Sequence, residues 1–434
     1  MTRIRVVAPV EWRTWRELRL RALADSPDSF GETLDSAQAR DDAAWIGATS
    51  PDRTRIVLFA ESDDRLIGMA VGRISPDDAR RANLYAMWVA PEGRQRGAGS
   101  VLVRGVMRWA RLAGAATLAL RVSERSPAAV AMYRALGFAE TGVIETIRPG
   151  SEIQSRVMVA QLGPLVMGVV NATPDSFSDG GKYVAPDAAI AHGLALLRAG
   201  ADLIDVGGEA TNPKAAGVDA EEELRRIDPV IRALVAAGAT VSVDTTKATV
   251  ARAAVAAGAS IINDVSGGLF DPEMSSLLDD FAGTYIAGHL RGRSLREVFA
   301  AEAAEVTWRE VAAELGERLA ALPSVLRGRV WVDPGIGFGK GADAEGNLSL
   351  LRHAGDLGRA LGCPVVVGAS RKRFLRRIVA RDSAGTPRPD DVTLEQLDAA
   401  SVEASLAAVR SGAHVVRVHN VALLRAALAV YTRM

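Results

Sequence analysis

This chain has a single cysteine, few histidines and no net charge. A single cysteine, Cys363, excludes an internal disulfide, and its apolar neighbours favour a buried thiol over a nucleophile or a metal ligand. The 5 histidines occur without HxxxH spacing, which argues against a structural zinc site. Because 52 basic residues balance 52 acidic ones, no overall field favours nucleic acid or an anionic membrane as a partner.

Long apolar runs are missing as well. No run reaches the roughly 18 residues of a membrane-spanning helix, and the first residues lack the apolar core of a signal peptide. We therefore expect a cytoplasmic protein. The hydrophobic content of 48% is ample for packed cores, and 434 residues exceed one ordinary core. The patterns described next divide the chain into two predicted domains, 1–162 and 163–434.

Polar residues follow eight apolar runs in the second domain. Ala- and Leu-rich helical patterns separate these runs, and the alternation predicts a (β/α)₈ barrel. In that fold the carboxyl ends of the strands converge on one face, so the polar residues there are candidates for one common site. They are Asn171, Asp205, Asp244, Asn263, His289, Asp333, Ser370, Arg417 and His419.

A strand that leads into a glycine-rich helix start characterises the first domain. The predicted strand at 84–89 is followed by RQRGAG at 94–99 and by an amphipathic helix to about residue 112. Backbone N–H groups are unpaired at such a start, and small residues let a polyphosphate approach them. A later segment, RSPAAVAMYRALGF at 125–138, places Ser126 and Tyr133 on a short helix.

Together these two motifs resemble the GNAT acetyltransferases, over about residues 3–162. The resemblance implies an α/β domain that binds acetyl-CoA, but it does not name the acceptor amine. Tyr133 is implied as the acid that protonates the leaving thiolate, and the alternative is a packed aromatic side chain. The residues implied in cofactor binding are Arg94, Gln95, Arg96, Gly97, Ala98, Gly99 and Ser126.

Seven segments of the second domain resemble dihydropteroate synthase, in the family's order. The resemblance implies condensation of 6-hydroxymethyl-7,8-dihydropterin diphosphate with 4-aminobenzoate to give 7,8-dihydropteroate and pyrophosphate. It also implies a homodimer formed through the barrel. The segments are MGVVNATPDSFSDGG (167–181), GADLIDVGGEAT (200–211), SVDTTK (242–247), INDVSGG (262–268), DPGIGFGK (333–340), GASRKRF (368–374) and RVHN (417–420).

The resemblance assigns pterin binding to Asp244, Asn263, Asp333 and Lys372. Carboxylates and an amide match the donors and acceptors on the edge of a pterin, independently of the family name. Asp244 and Lys372 are also expected to take part in catalysis. Asp205, which ends the second run, is expected to have a structural role.

The remaining assignments concern the diphosphate and the arylamine. Mg²⁺ is expected on the oxygen of Asn171, with Asp179 as a possible second ligand. Arg417 and His419 are expected at the pyrophosphate as catalytic residues. The residues implied around 4-aminobenzoate are Phe177, Thr211, Pro213 and Arg371.

Three positions depart from the family pattern. Asn212 stands where the family has an arginine that contacts pyrophosphate, while Thr246 and Asn420 replace a common Tyr and Asp. The leading hypothesis is a bifunctional enzyme, a synthase joined to an acetyltransferase. In one alternative, the barrel is a non-catalytic pterin-binding module beside a working acetyltransferase. In the other, the first domain binds acetyl-CoA without transferring its acetyl group.

Overall fold

The computed structural model describes residues 2–50, 52, 54–173, 186–209, 217–300, 306–326, 328–340, 344–380 and 392–431. The chain forms two compact units, Met1–Gly163 and Pro164–Met434. No helix within the described residues is long and apolar enough to cross a membrane.

The first unit is a seven-stranded mixed sheet with helices packed on it. The strands are β1 (Arg3–Val6), β2 (Arg55–Ser62), β3 (Arg65–Ile74), β4 (Arg81–Val89), β5 (Thr117–Ser123), β6 (Phe138–Thr146) and β7 (Gln154–Gln161). Their order in the sheet is β1-β2-β3-β4-β5-β7-β6. The helices are α1 (Trp12–Asp25), α2 (Leu34–Gln38), α3 (Asp42–Thr49), α4 (Ala98–Leu112) and α5 (Pro127–Ala135).

Strands β4 and β5 pair along only part of their length. Their parallel register runs from Arg81↔Thr117 to Leu84↔Leu120. Beyond it, Ala86 has a positive φ of 47°, and the register with β3 shifts at this point, as at a β-bulge. The two strands therefore separate toward their carboxyl ends.

The second unit is an eight-stranded parallel barrel, as predicted. Its strands are β8 (Leu165–Asn171), β9 (Leu203–Gly207), β10 (Val241–Asp244), β11 (Ile261–Asp264), β12 (Thr284–Gly288), β13 (Val330–Asp333), β14 (Val366–Val367) and β15 (Val415–Val418). Each strand pairs with the next in the chain, and β15 pairs with β8. The junction of β13 with β14 is the single bridge Val332↔Val365.

Helices cover the outside of the barrel between the strands. They are α6 (Pro186–Arg198), α7 (Ala220–Ala236), α8 (Ala248–Ala256), α9 (Glu273–Asp280), α10 (Leu295–Ala300), α11 (Trp308–Ala321), α12 (Glu345–Arg352), α13 (Ala354–Leu361), α14 (Arg373–Val379), α15 (Leu394–Arg410) and α16 (Val421–Tyr431). Capping side chains fix several of their starts. Thr393 accepts a hydrogen bond from the N–H of Gln396 at the start of α15.

Apolar side chains fill the layer between strands and helices. Ile204 and Val243 on the strands pack in one buried cluster with Ile231 and Leu234 on α7. Full burial of each such side chain stabilises the fold by about 1.5–3 kcal/mol. The strands are thereby held in register, which brings their polar ends to the same mouth of the barrel.

Candidate active site

The barrel places the polar strand ends in one layer. Asn171 pairs in register with Gly207, Gly207 with Asp244, and Asp244 with Asn263. Asp333 ends β13 opposite Gly288 of the neighbouring strand. These side chains therefore lie at the carboxyl end of the barrel, the end at which sequence reasoning expected them.

Arg417 of β15 contacts carboxylates on two other strands. Asp244 ends β10, whereas Asp205, expected at the end of its run, lies in the middle of β9. Its Nε donates to Asp205 Oδ2 at 2.6 Å, and its Nη2 donates to Asp244 Oδ2 at 2.7 Å. Asn263 Nδ2 donates to the same oxygen of Asp205 at 3.1 Å. Asp205 thus orients both the guanidinium and the amide, a role that the sequence reading did not assign to it.

Burial and the Arg417 guanidinium, which Asp205 and Asp244 share, shift the pKa values in this cluster. Burial raises the pKa of Asp244 to about 7; the charge of Arg417 opposes this rise, and the charge of Asp205 adds to it. The two carboxylates raise the pKa of Arg417 despite its burial, so the arginine stays cationic. A buried acceptor at Asp244 next to a fixed cation suits a heterocycle with a row of donors.

Lys372 enters the site from the start of α14. Its Nζ lies 4.0 Å from the centroid of the Phe338 ring, a cation–π contact. Burial lowers the pKa of Lys372 to about 8, and the charge of Arg417 acts in the same direction. Gly337 has a φ of 83°, and a Cβ there would lie 3.0 Å from Lys372 Cδ, so a glycine leaves the lysine its room.

Asp333 is anchored by its own loop. Its Oδ1 accepts the N–H of Gly335 at 2.7 Å. Burial raises the pKa of Asp333, while that hydrogen bond and the charge of Lys372 oppose the rise. The carboxylate is therefore held at the end of β13 with one oxygen committed to the backbone.

The surroundings of His419 disfavour its protonated form. Its Nδ1 lies 2.9 Å from Ser370 Oγ, and its backbone N–H donates to the same hydroxyl at 3.2 Å. Burial lowers the pKa of His419 to about 3, with the charges of Arg371 and Arg417 acting in the same direction. The cation expected at the pyrophosphate is consequently Arg417, with His419 as a hydrogen-bonding neighbour.

Arg371 is engaged within the protein. Its Nε and Nη2 donate to the two carboxylate oxygens of Asp398 at 2.7 and 3.0 Å. Asn420 Nδ2 donates to the same carboxylate at 3.1 Å. Arg371 also has a positive φ of 58°, which is uncommon for a residue with a side chain. Contact with the 4-aminobenzoate carboxylate therefore requires that it share or leave Asp398.

Several expected residues lie outside the described part of the chain. They are Phe177, Asp179, Thr211 and Pro213. Asn171, the first expected metal ligand, ends β8 at the site. Among the described residues, no group of three or more His, Cys, Asp or Glu side chains is placed to hold a metal ion.

Lys247 and His289 form hydrogen-bond networks separate from the cluster around Arg417. Lys247 Nζ contacts the carboxylates of Glu209 and, at 2.6 Å, Glu223, so both carboxylates have a partner within the protein. His289 is fully buried, with Nε2 at 3.0 Å from a Glu314 oxygen and Nδ1 at 2.9 Å from Lys340 Nζ. His289 is a strand-end residue whose two ring nitrogens both have protein partners.

The first unit has a cavity of its own. It measures about 780 Å³ and lies where β4 and β5 separate, with Tyr133 and Ser126 in its lining. Burial raises the pKa of Tyr133 and keeps the phenol protonated, while the ring packs edge-on against Phe138 with centroids 5.5 Å apart. Both predicted roles of Tyr133, acid and packed aromatic, are compatible with this placement.

The glycine-rich loop forms the start of α4. Gly97 is the N-cap residue with a φ of 81°, and Ala98 and Gly99 begin the helix. Arg94 is tied to the carboxylate of Asp25 and donates through Nε to the carbonyl of Val89 at 3.0 Å. A polyphosphate at this helix start would therefore depend on the backbone N–H groups more than on the Arg94 side chain.

Comparisons with known proteins divide the chain in the same way. The family described as pterin binding enzyme matches residues 167–419, and the acetyltransferase (GNAT) family matches residues 12–138. A dihydropteroate synthase of Mycobacterium leprae is 45% identical over 258 residues, which are 59% of this chain and 88% of that protein. A folate synthesis bifunctional protein of Arabidopsis thaliana is 36% identical over 272 residues, which are 59% of this chain and 54% of that protein.

Solved structures resemble the second unit. Dihydropteroate synthase of Xanthomonas albilineans with 4-aminobenzoic acid aligns with a TM-score of 0.54 and 41% identity, covering 63% of this chain and 94% of that one. The same organism's enzyme in complex with 7,8-dihydropteroate aligns with a TM-score of 0.51 and 41% identity, covering 62% and 93%.

Proposed function

The chain belongs to the dihydropteroate synthase family of pterin-binding enzymes and carries a GNAT domain before its barrel, and on that premise we propose a bifunctional enzyme. The barrel condenses 6-hydroxymethyl-7,8-dihydropterin diphosphate with 4-aminobenzoate, giving 7,8-dihydropteroate and pyrophosphate. The first unit transfers an acetyl group from acetyl-CoA to an amine. Both resemblances found in the sequence are confirmed by the family matches.

The cluster around Arg417 is the observation that carries the synthase proposal. Asp244, Asn263 and Asp333 offer acceptors and an amide to the pterin edge, and Lys372 offers a donor to its carbonyl side. Such an array binds a flat heterocycle with complementary polar groups. The same carboxylates stabilise the positive charge that develops on the exocyclic methylene as its carbon–oxygen bond breaks.

Arg417 and a divalent cation serve the departing pyrophosphate. The arginine remains charged because Asp205 and Asp244 hold it. Mg²⁺ prefers oxygen ligands, keeps several waters and commonly takes one or two protein ligands plus substrate phosphates, so a lone Asn171 oxygen fits such a site. When bound, Mg²⁺ would supply further neutralisation of the leaving group. Asp179 stays a predicted second ligand.

The arylamine nitrogen then attacks the methylene carbon from the loop side. The reaction needs no covalent enzyme intermediate, because the lone pair of a neutral arylamine can attack the carbon directly. Catalysis therefore consists mostly of positioning and charge stabilisation. Arg371, Phe177, Thr211 and Pro213 stay proposed contacts of 4-aminobenzoate.

One replacement is expected to slow this reaction. Asn212 lacks the charge of the family's arginine, and loss of one contact to developing charge costs about 2–4 kcal/mol in the transition state. Lys214 is two residues away, but an ammonium lacks the bidentate fork of a guanidinium. We expect a slow synthase.

Steady-state formation of dihydropteroate from the two purified substrates tests the proposal. Product that forms with Mg²⁺ and declines on chelation supports it. Tight pterin binding without product over many hours would instead support a non-catalytic barrel. Light scattering on the same sample tests the proposed homodimer, and cytoplasmic location stays a prediction from sequence.

The acetyltransferase proposal depends on the GNAT match together with the cavity beside Tyr133. Acetyl-CoA is proposed to bind at the start of α4, and the protonated phenol of Tyr133 to supply the proton that the leaving thiolate takes up. Calorimetric titration of acetyl-CoA tests the binding step. Binding without release of coenzyme A to any acceptor would favour the alternative of a binding domain alone.

A further inference from the structure

The wall of the cavity in the first unit is a fixed loop. Arg148 Nη1 donates to the carbonyls of Pro27 and Phe30 at 3.0 and 2.9 Å. Ser29 Oγ lies 3.4 Å from Ser126 Oγ on the other side of the cavity lining. The loop that carries Phe30 and Glu32 is thereby held against the cavity. Its side chains can determine which amine fits.

Both carboxylates in the cavity lining are already neutralised by arginines. Glu32 Oε2 accepts from Arg19 at 3.0 Å. Its Oε1 forms an ion pair with Arg40 Nη2 at 2.6 Å, without a hydrogen bond to any described residue. Glu145 forms an ion pair with Arg121 at 3.0 Å. Each carboxylate in the described lining therefore already has an arginine counterion, which makes it a weak partner for an alkylammonium group and a weak base.

Arg19 leaves one buried donor without a partner. The residue is 8% exposed, its Nε and Nη2 both go to Glu32, and its guanidinium lies over the Phe30 ring at 4.5 Å. Its Nη1 is buried and has no hydrogen-bond partner among the described residues. Buried polar groups of this kind are nearly always satisfied, and because Arg19 lines the cavity, a ligand bound there can supply the partner. An anion matches a guanidinium best.

We infer that the acetyl acceptor is an arylamine that carries a carboxylate, the class to which 4-aminobenzoate belongs. This inference depends on the proposed acetyl transfer and adds the identity of its acceptor. An arylamine is uncharged at neutral pH because its ring delocalises the nitrogen lone pair, so it needs no base. Its carboxylate pairs with Arg19 Nη1, and its ring fits beside Val157 and Val159 in the lining.

The proposed step balances with the groups present. The arylamine nitrogen forms a bond to the thioester carbonyl carbon, and the carbon–sulfur bond breaks with its electron pair on sulfur. Sulfur takes a proton from the Tyr133 hydroxyl, and the proton released by the nitrogen restores the phenol. One amine proton thus ends on the thiol of coenzyme A, and the product is an N-acetylarylamine.

An acceptor series on the full chain tests the inference. Coenzyme A release is measured with 4-aminobenzoate, with aniline, which lacks the carboxylate, and with 4-(aminomethyl)benzoate, whose amine is an alkylammonium. We expect kcat/KM for 4-aminobenzoate to exceed both others by about tenfold or more. Its kcat/KM should also be nearly flat from about pH 6 to 9, since no amine proton must first be lost.

The outcomes separate this inference from the proposal on which it depends. A preference for 4-(aminomethyl)benzoate, or equal use of aniline, overturns the acceptor class while acetyl transfer stands. Acetyl-CoA binding by calorimetry with no turnover of any of the three also overturns it. Absence of acetyl-CoA binding would refute the acetyltransferase proposal itself.

A matched pair of variants tests the role of Arg19. Arg19→Lys keeps one cation for Glu32 but removes Nη1, and we expect KM for 4-aminobenzoate to rise about tenfold with KM for aniline unchanged. Arg16→Lys is the control, because Arg16 lies on the same helix and pairs with the exposed Asp42 at 3.4 Å. Equal KM values for 4-aminobenzoate in Arg19→Lys and Arg16→Lys would overturn the assignment of Arg19, provided thermal melting shows both variants folded.

Discussion

Replacement of Asp205 by asparagine tests the cluster that connects the strand ends. Asp205 is fully buried, and its Oδ2 accepts from Arg417 at 2.6 Å and from Asn263 at 3.1 Å. The change preserves the shape of the side chain but removes its charge. Arg417 then keeps its ion pair with Asp244, and an amide NH₂ can face the guanidinium.

The expected magnitude follows from the bond that is lost. A hydrogen bond to a charged group contributes about 1.5–3 kcal/mol, and each 1.4 kcal/mol corresponds to about tenfold. We therefore expect kcat/KM for dihydropterin diphosphate to fall about 10- to 100-fold. The charge of Asp205 also adds to the raised pKa of Asp244, so its removal should shift the acid limb of the pH–rate profile to lower pH.

Asp202→Asn is the matched control. Asp202 precedes the same strand, pairs with Arg425 and accepts the N–H of Val166, but it lies at the amino end of the barrel. It should lower the melting temperature without moving the pH–rate profile. An Asp205→Asn enzyme with unchanged kcat/KM, or one whose only defect is the loss of thermal stability seen in the control, would refute the role of Asp205 in orienting Arg417.

Three further predictions concern the pterin site, the glycine-rich loop and His289. Lys372→Ala and Asp244→Asn should each reduce synthase turnover steeply and leave acetyl-CoA binding intact; normal dihydropteroate formation in either would show that the pterin site is misplaced. Gly97→Asp should weaken acetyl-CoA binding strongly by placing a carboxylate at the start of α4, whereas Gly150→Asp, at a similar positive φ of 76°, should not; equal calorimetric affinities would contradict the loop assignment. Burial and the charge of Lys340 lower the pKa of His289 to about 3, so the unfolded chain, with an imidazole pKa of about 6.5, binds more protons between these values and stability rises with pH there. His289→Gln should flatten that rise in melting temperature, and parallel curves for both proteins would count against it.

The barrel was predictable because its signals are local. Each strand is a short apolar run, each helix has its own periodicity, and the number and order of these units leave few topologies. Asp244, Asn263 and Asp333 could be named as site residues because they end strands, and strand ends meet at one mouth. Tyr133 and Gly97 were identified similarly, from a short helix and from a glycine-rich helix start.

The partners of the charged groups were not predictable. The sequence indicates only a structural role for Asp205, because a carboxylate on a strand does not reveal its partner. The structure pairs it with Arg417, 212 positions along the chain. Arg94 and Arg371 were assigned to ligands, whereas the structure pairs them with Asp25 and Asp398, since a cation binds whichever carboxylate the fold places beside it.

The sequence by itself determined the two folds, the family of each and the residue types at the barrel mouth, because these depend on spacing along the chain. Only the tertiary structure decided how the surroundings shift the pKa values of those residues and which donors lack a partner. Both depend on burial and on the nearest charges, which long-range packing brings together. The surroundings of His419 lower its pKa, and Arg19 Nη1 is buried without a hydrogen-bond partner among the described residues.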